Sequence, residues 1–180
     1  MTQIDSQGLL SDCEYIPSPN CDDRPTIPIE LLVIHNISLP PGEFGGDGVQ
    51  RLFTNTLDAS AHPYYQTIDK LEVSAHFLLR RDGQVVQFVP CTKRAWHAGE
   101  SCWQGLSRCN DFSIGIELEG SDTVPFTDAQ YAALARLTAA LRAAYPIRGI
   151  AGHSDIAPQR KTDPGTCFDW TRYLTALCKI

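Results

Sequence analysis

Histidines, strand-borne carboxylates and one lysine are the residues of this chain whose types could do chemistry. His35 closes a short apolar run, Leu31-Leu-Val-Ile34, and His153 follows a second run, Arg148–Ala151. Both runs read as strands, and in sheets covered by helices ligand sites gather beyond the carboxyl ends of strands. Asp163 comes ten residues after His153 and opens Asp-Pro-Gly, a turn stiff enough to hold a carboxylate in place. Two imidazoles and one carboxylate make an open zinc set, with a fourth position left for water. A plainer reading also fits. A histidine after a strand is often a hydrogen-bonded core group, and the gap of 118 residues between His35 and His153 matches no local zinc motif.

Glu117 sits in Ser113-Ile-Gly-Ile-Glu-Leu-Glu-Gly120, where Ile114, Ile116 and Leu118 face one way and Gly115, Glu117 and Glu119 the other. Carboxylates two apart on a strand lie ~6.5–7 Å apart on one side. One of them could act as a general base, its pKa raised by burial or by the other. A solvated polar face fits the same alternation. Lys161, two residues before Asp163, could place a cation beside the site and steady an oxyanion, or lie solvated next to Arg160. Trp96-His97-Ala98-Gly99 joins an aromatic platform to flexible backbone. That suits contact with a sugar or peptide, or a surface turn around one buried tryptophan. His62, before Pro63, and His76, inside a strand run, read as structural.

The elements that must position these groups are legible in outline. Four prolines in residues 11–30 predict an extended, irregular segment. A short helix is expected at about Gly48 to Thr56. Next comes a hairpin of Ala75–Leu79 and Val85–Val89 around Asp82-Gly83. A long helix opens at Thr127 with a Thr-x-x-Gln capping box and presents Tyr131, Leu134, Leu137, Leu141 and Tyr145 before Pro146 stops it. A last helix starts at Asp169 as cap and presents Trp170, Tyr173, Leu174 and Leu177. Strands interspersed with helices give the fold class α/β (α+β): a single domain with a central mixed β-sheet flanked by helices. Residues 1–28 are expected to pack as an extended segment on a catalytic domain of residues 29–180.

Composition narrows the partners. At 180 residues, 43% hydrophobic and 20% charged, the chain can bury a sizeable core. A net charge of −6 with no basic stripe excludes nucleic acid as the main partner. No apolar stretch reaches the ~20 residues of a membrane span. The first ten residues carry neither a basic region nor an apolar one of the secretory kind, so a cytoplasmic protein is expected. The seven cysteines show no paired spacing and read as reduced thiols. The absence of an exposed apolar stripe predicts a monomer.

Five blocks carry a family resemblance: Leu32 to Gly46, Ser74-Ala-His-Phe77, Arg94-Ala-Trp-His-Ala-Gly99, Cys109 to Gly120, and Gly152 to Gly165. In this order they resemble the AmpD family, zinc amidases that cleave 1,6-anhydro-N-acetylmuramyl-L-alanine in cytoplasmic cell-wall recycling. The likeness runs from about Tyr15 to Trp170. Its wider relatives include amidase-type phage lysozymes and peptidoglycan recognition proteins. The resemblance implies Zn2+ on His35, His153 and Asp163, Glu117 as catalytic carboxylate and Lys161 as oxyanion partner. Some relatives use cysteine as third ligand, but Cys167 here lies four residues past Asp163. Many relatives carry arginine two residues before the Ser-Ala-His block, where this chain has Glu72. Gripping a peptide stem would then fall to Arg108 and Arg80, with Asn36 and Trp96 as further contacts to sugar and peptide.

The expected substrate is a small soluble anhydro-muropeptide, cut between the lactyl group and L-alanine, with an indirect restraint on β-lactamase induction. Two alternatives stand beside it: a non-catalytic peptidoglycan-binding module, and an amidase acting on intact periplasmic peptidoglycan.

Overall fold

Two branched, apolar runs pair along seven residues each and set the centre of the molecule. The computed structural model describes residues 2–179. In chain order these form β1 (Glu14–Tyr15), β2 (Cys21–Asp23), β3 (Leu31–Ile37), α1 (Gly48–Phe53), β4 (Phe77–Leu79), β5 (Val85–Gln87) and β6 (Lys93–Ala95). There follow β7 (Cys102–Trp103), β8 (Leu106–Ser107), β9 (Ser113–Glu119), α2 (Asp128–Ala144), β10 (Gly149–Gly152), α3 (His153–Ile156) and α4 (Trp170–Leu177). Among the described residues, six strands form one mixed sheet in the order β1-β5-β4-β9-β3-β10. β3 runs parallel to β9 on one side and β10 on the other, β9 parallel to β4, and β4 antiparallel to β5.

Alternation along the central strands sends apolar side chains to both faces. Leu32, Ile34, Ile114, Ile116 and Leu118 pack with Tyr131, Leu134, Leu137 and Leu141 of α2 and Tyr173 of α4. Full burial of such side chains contributes roughly 1.5–3 kcal/mol each, so this layer is the main source of stability. On the opposite face, Leu78 and Val86 meet Val49, Leu52 and Phe53 of α1. Leu31 and Val33 meet Ile156 of α3 there. The mixed sheet with helices on both faces is the α/β architecture expected.

Several boundaries move for physical reasons. β3 continues through His35 and Asn36 to Ile37, because β9 offers a partner at every step up to Glu119. α2 stops at Ala144, and Tyr145 is extended at φ −132° because Pro146 disfavours a helical residue before it. α1 ends at Phe53, short of the expected Thr56. The polar loop expected after His153 begins with one helical turn, where the Asp155 carboxylate accepts from Gly152 N at 2.7 Å. In the proline-containing segment, β1 extends the sheet beside β5 and β2 pairs with β6. The hairpin turn is as the sequence predicts. Gly83 takes φ +87° and Arg80 N donates to Gln84 O at 2.9 Å. Leu174, expected on the inner face of α4, is 45% exposed.

The capping box of α2 is complete. Thr127 Oγ1 accepts from Gln130 N, and Gln130 Oε1 accepts from Thr127 N, both at 3.1 Å. Thr127 Oγ1 also donates to Arg81 O at 2.7 Å, tying the helix start to the hairpin. Thr127→Ala should therefore destabilise by ~1 kcal/mol and lower the thermal midpoint by about 2–4 °C in a circular dichroism melt. An unchanged midpoint would remove the cap from this account.

Candidate active site

The parallel register brings the distant histidines together. Gly152, the last residue of β10, pairs with Ile34, so His153 leaves its strand level with His35 on the neighbouring one. On the other side of β3, His35 pairs with Glu117 of β9. Asp163 reaches the same edge from the loop after α3, whose backbone is held by Ser154 N donating to Asp163 O at 2.9 Å.

Three atoms converge there. His35 Nδ1 lies 3.0 Å from His153 Nδ1 and 3.0 Å from Asp163 Oδ2, and His153 Nδ1 lies 3.1 Å from the same oxygen. The remaining ring nitrogens decide what these atoms offer. His153 Nε2 faces Ala98 O at 3.1 Å, which can only accept, so Nε2 carries the proton and Nδ1 a lone pair. Arg160 Nη2 donates to that carbonyl at 2.7 Å and to Glu100 O at 2.8 Å, fixing the segment. His35 Nε2 meets His97 Nδ1 at 3.0 Å, and His97 Nε2 meets Ser113 Oγ at 3.2 Å. Passing protons down that chain leaves His35 Nδ1 bare as well. Two lone pairs and a carboxylate oxygen then crowd one point, an arrangement that calls for a cation. Zinc bonds of about 2.0–2.1 Å put tetrahedral donor atoms ~3.3 Å apart, close to the triangle observed. His35, His153 and Asp163 therefore fit a divalent zinc-type ion.

Electrostatics agree with a neutral His35. Burial, only partly offset by the Asp163 hydrogen bond, pushes His35 down to about 4. Burial and the neighbouring histidines hold His97 well below the usual range.

Glu117 is the complement. It is 9% exposed, and its Oε2 is buried without a hydrogen-bond partner among the described residues. Burial first, and the charge of Asp163 second, push its carboxyl well above the ordinary carboxylate range, while Lys161 pulls it back. The residue expected to perturb it, Glu119, does not. Glu119 turns away to accept from Gly45 N and Arg81 N, and the second carboxylate is Asp163. Its strand face is buried under loops and is not the solvated surface that alternation also allowed.

A cleft of about 360 Å³ opens over these groups. It is lined by His35, Asn36, Trp96, Glu117, His153, Lys161 and Asp163, and by Ser38, Leu39 and Pro41 of the loop after β3. Asn36 Nδ2 donates to Asp122 Oδ1 at 2.6 Å. Two expected residues are not brought there. Arg80 donates to Gly46 O at 2.5 Å and lies 3.6 Å from Glu119 Oε1. Arg108 is exposed, in the left-handed region at φ +63°, and pairs with Asp111 at 3.2 Å.

His97 holds the His35 ring, a role that sequence reasoning missed. The signal was Gly115: a Cβ there would collide with the His97 ring, so the bare position on the strand face is where the imidazole lies. His76 is structural as expected, its Nδ1 accepting from Gly115 N at 3.0 Å.

Comparison with known proteins gives a consistent result. The family model described as N-acetylmuramoyl-L-alanine amidase matches residues 25–166. The chain is 57% identical over 176 residues to the 1,6-anhydro-N-acetylmuramyl-L-alanine amidase AmpD of Escherichia coli K12, covering 96% of each. The crystal structure of a selenomethionine AmpD derivative superposes with a TM-score of 0.95 at 56% identity, covering 98% of this chain and 99% of that one. The amidase AmiD from E. coli, solved with the substrate anhydro-N-acetylmuramic acid-L-Ala-D-γ-Glu-L-Lys, is 31% identical with a TM-score of 0.61. That match covers 96% of this chain and 65% of AmiD.

Removing the partner of His35 should loosen the metal site. His97→Phe keeps a ring over Gly115 but loses the nitrogen facing His35. It should weaken divalent metal binding by ~10–100-fold in competition with a chromophoric chelator. Wild-type affinity in that variant would show His97 to be mere packing.

Proposed function

Because this chain belongs to the N-acetylmuramoyl-L-alanine amidase family, its reaction is hydrolysis of an amide, and we propose that it acts on soluble anhydro-muropeptides. The bond is the amide between the lactyl group of 1,6-anhydro-N-acetylmuramic acid and L-alanine. Zinc is the cofactor, on His35, His153 and Asp163, and the setting is cytoplasmic recycling of cell wall. The carrying observation is the triangle of three donor atoms set beside a buried carboxylate oxygen that has no partner. The substrate reading is supported by likeness to AmpD along nearly the whole chain. The seven free thiols suit a reducing compartment.

Zinc bound there supplies a Lewis acid that polarises a carbonyl and makes water acidic enough to ionise near neutral pH. Glu117 takes the proton released as water attacks the carbonyl carbon. It hands that proton to the departing nitrogen as the C–N bond breaks. The second proton of the water also ends on nitrogen, so the products are the lactyl carboxylate and the ammonium of L-alanine, and atoms and charge balance. A carboxyl with a raised pKa suits both halves of this work, since it takes a proton readily and is not so acidic that it cannot hold one. Lys161 lines the same cleft and brings a positive charge to the carbonyl oxygen as negative charge develops on it. Asn36 and Trp96 line the cleft as contacts for sugar and peptide.

Separate measurements test the parts. Glu117→Ala should retain metal and lose kcat by ~100-fold or more. Asp163→Ala should instead lose metal, read by elemental analysis of the purified protein. The wild type should release peptide from a defined anhydro-muropeptide, as seen by mass spectrometry, and stop when chelator is added. Equal release from intact sacculi would favour an enzyme of the assembled wall. Deleting the gene is expected to raise β-lactamase induction, because uncut fragments accumulate.

A further inference from the structure

Glu119 has no place in the chemistry above, yet it is a carboxylate only 3% exposed. Its oxygens are not idle. Oε1 accepts from Gly45 N at 2.6 Å, and Oε2 accepts from Arg81 N at 3.1 Å. Arg80 Nη1 lies 3.6 Å from Oε1 and donates to Gly46 O at 2.5 Å. The Arg81 guanidinium stacks over the Phe44 ring, 5.0 Å from its centroid, and donates to Pro125 O at 2.9 Å. Three consecutive residues of one loop, Phe44, Gly45 and Gly46, are thus gripped by the hairpin and by the end of β9.

The same loop begins at Ser38, and its Ser38, Leu39 and Pro41 line the substrate cleft. Between Ile37 and Gly48 it has no regular structure. Its glycines favour mobility, Gly45 standing at φ +83° with nothing within 4 Å of where a Cβ would be. A loop of this composition needs outside contacts to hold one shape. The grip at residues 44–46 and the chain's return into α1 supply them.

We propose that Glu119, with Arg80 and Arg81, is a clamp that fixes the loop of residues 38–47 as a wall of the substrate cleft. Glu119 and Arg80 are then positioning residues that set substrate affinity without touching the reacting atoms. Two carboxylates on one strand face divide the work: Glu117 faces the reaction, and Glu119 holds the wall around it. This rests on the amidase reading for the substrate to be used, but the clamp itself has a readout that needs no substrate.

The experiment compares wild type with Glu119→Gln and Arg80→Met, each loaded with zinc. Gln keeps the shape of Glu119 but offers one acceptor oxygen where two are used. Met keeps the length of Arg80 without its donors, and serves on its own if the buried substitution fails to fold. Hydrogen exchange of the peptide spanning residues 43–46 should quicken by ~10-fold or more in both variants. KM for a defined anhydro-muropeptide should rise ~10-fold, equivalent to about 1.4 kcal/mol, with kcat within about twofold and zinc content unchanged. The double variant should fall well short of the product of the single effects, as residues of one unit do. Unchanged exchange in the loop overturns the clamp. So does faster exchange with an unchanged KM. Arg80→Met raising KM without loosening the loop also overturns it, and assigns Arg80 to direct substrate contact. A wild type that leaves anhydro-muropeptide intact defeats the substrate reading alone, and the exchange measurement still judges the clamp.

Discussion

Parallel pairing of β3 with β9 and β10 is the constraint on which the site depends. It sets His35 beside Glu117 and brings the end of β10 level with His35, so that groups from three stretches of chain meet at one sheet edge. Side chains alternate with a period of two, so a slip of one residue would turn His35 toward α2 and send Ile34 into the cleft. The hydrophobic layer under α2 prevents that slip. In the observed register that layer takes Leu32, Ile34, Ile114, Ile116 and Leu118, whereas a slip would press the polar His35 and Glu117 into it. The core that stabilises the fold is in this sense the device that aims the groups of the candidate site.

The opposite face of β9 shows how a strand can carry buried polar groups without losing stability. A desolvated carboxylate is unfavourable unless its oxygens are hydrogen-bonded or its proton is retained. Glu119 takes the first course with two backbone N–H groups, while burial and the charge of Asp163 push the Glu117 carboxyl upward. Gly115 completes the row by leaving room for the His97 ring. Three positions two residues apart therefore seat the His97 ring, carry a carboxyl of raised pKa and anchor a loop. A regular strand delivers all three to one side.

Much of this was written in local sequence. The capping box at Thr127, the Asp-Gly hairpin, the Asp169 cap and the strand alternation at Ser113–Glu119 are short-range signals, and the structure has each. His35 and His153 stood out because they end strands, but their approach depends on which strands pair, and a separation of 118 residues encodes none of that. Arg80 and Arg108 were singled out for charge alone. Charge does not say whether a side chain faces a cleft, a loop carbonyl or solvent, and here it is the latter two. The one turn of α3 was missed because its N-terminal N–H is satisfied by a carboxylate three residues later, in a stretch too short for a helical pattern to show.

Asp163 poses the remaining physical problem, since it is the one member of the triad carried by a loop. A donor atom must be held within about half an ångström to act as a preorganised ligand, and loops are ordinarily too mobile for that. Here the loop is tied at several points. Lys161 N donates to Ala157 O at 3.0 Å, and Ser154 N to Asp163 O at 2.9 Å. Gly165 packs so closely on Asp122 that no larger residue fits, and Asp122 in turn accepts from Asn36 at the end of β3. The loop is thereby referred back to the strand that carries His35, and Lys161 is placed by the same bonds as Asp163. Asp163 and Lys161, the proposed ligand and oxyanion partner, share one segment held by these bonds, so a change that loosens the turn must disturb both together. The two losses would appear as one phenotype.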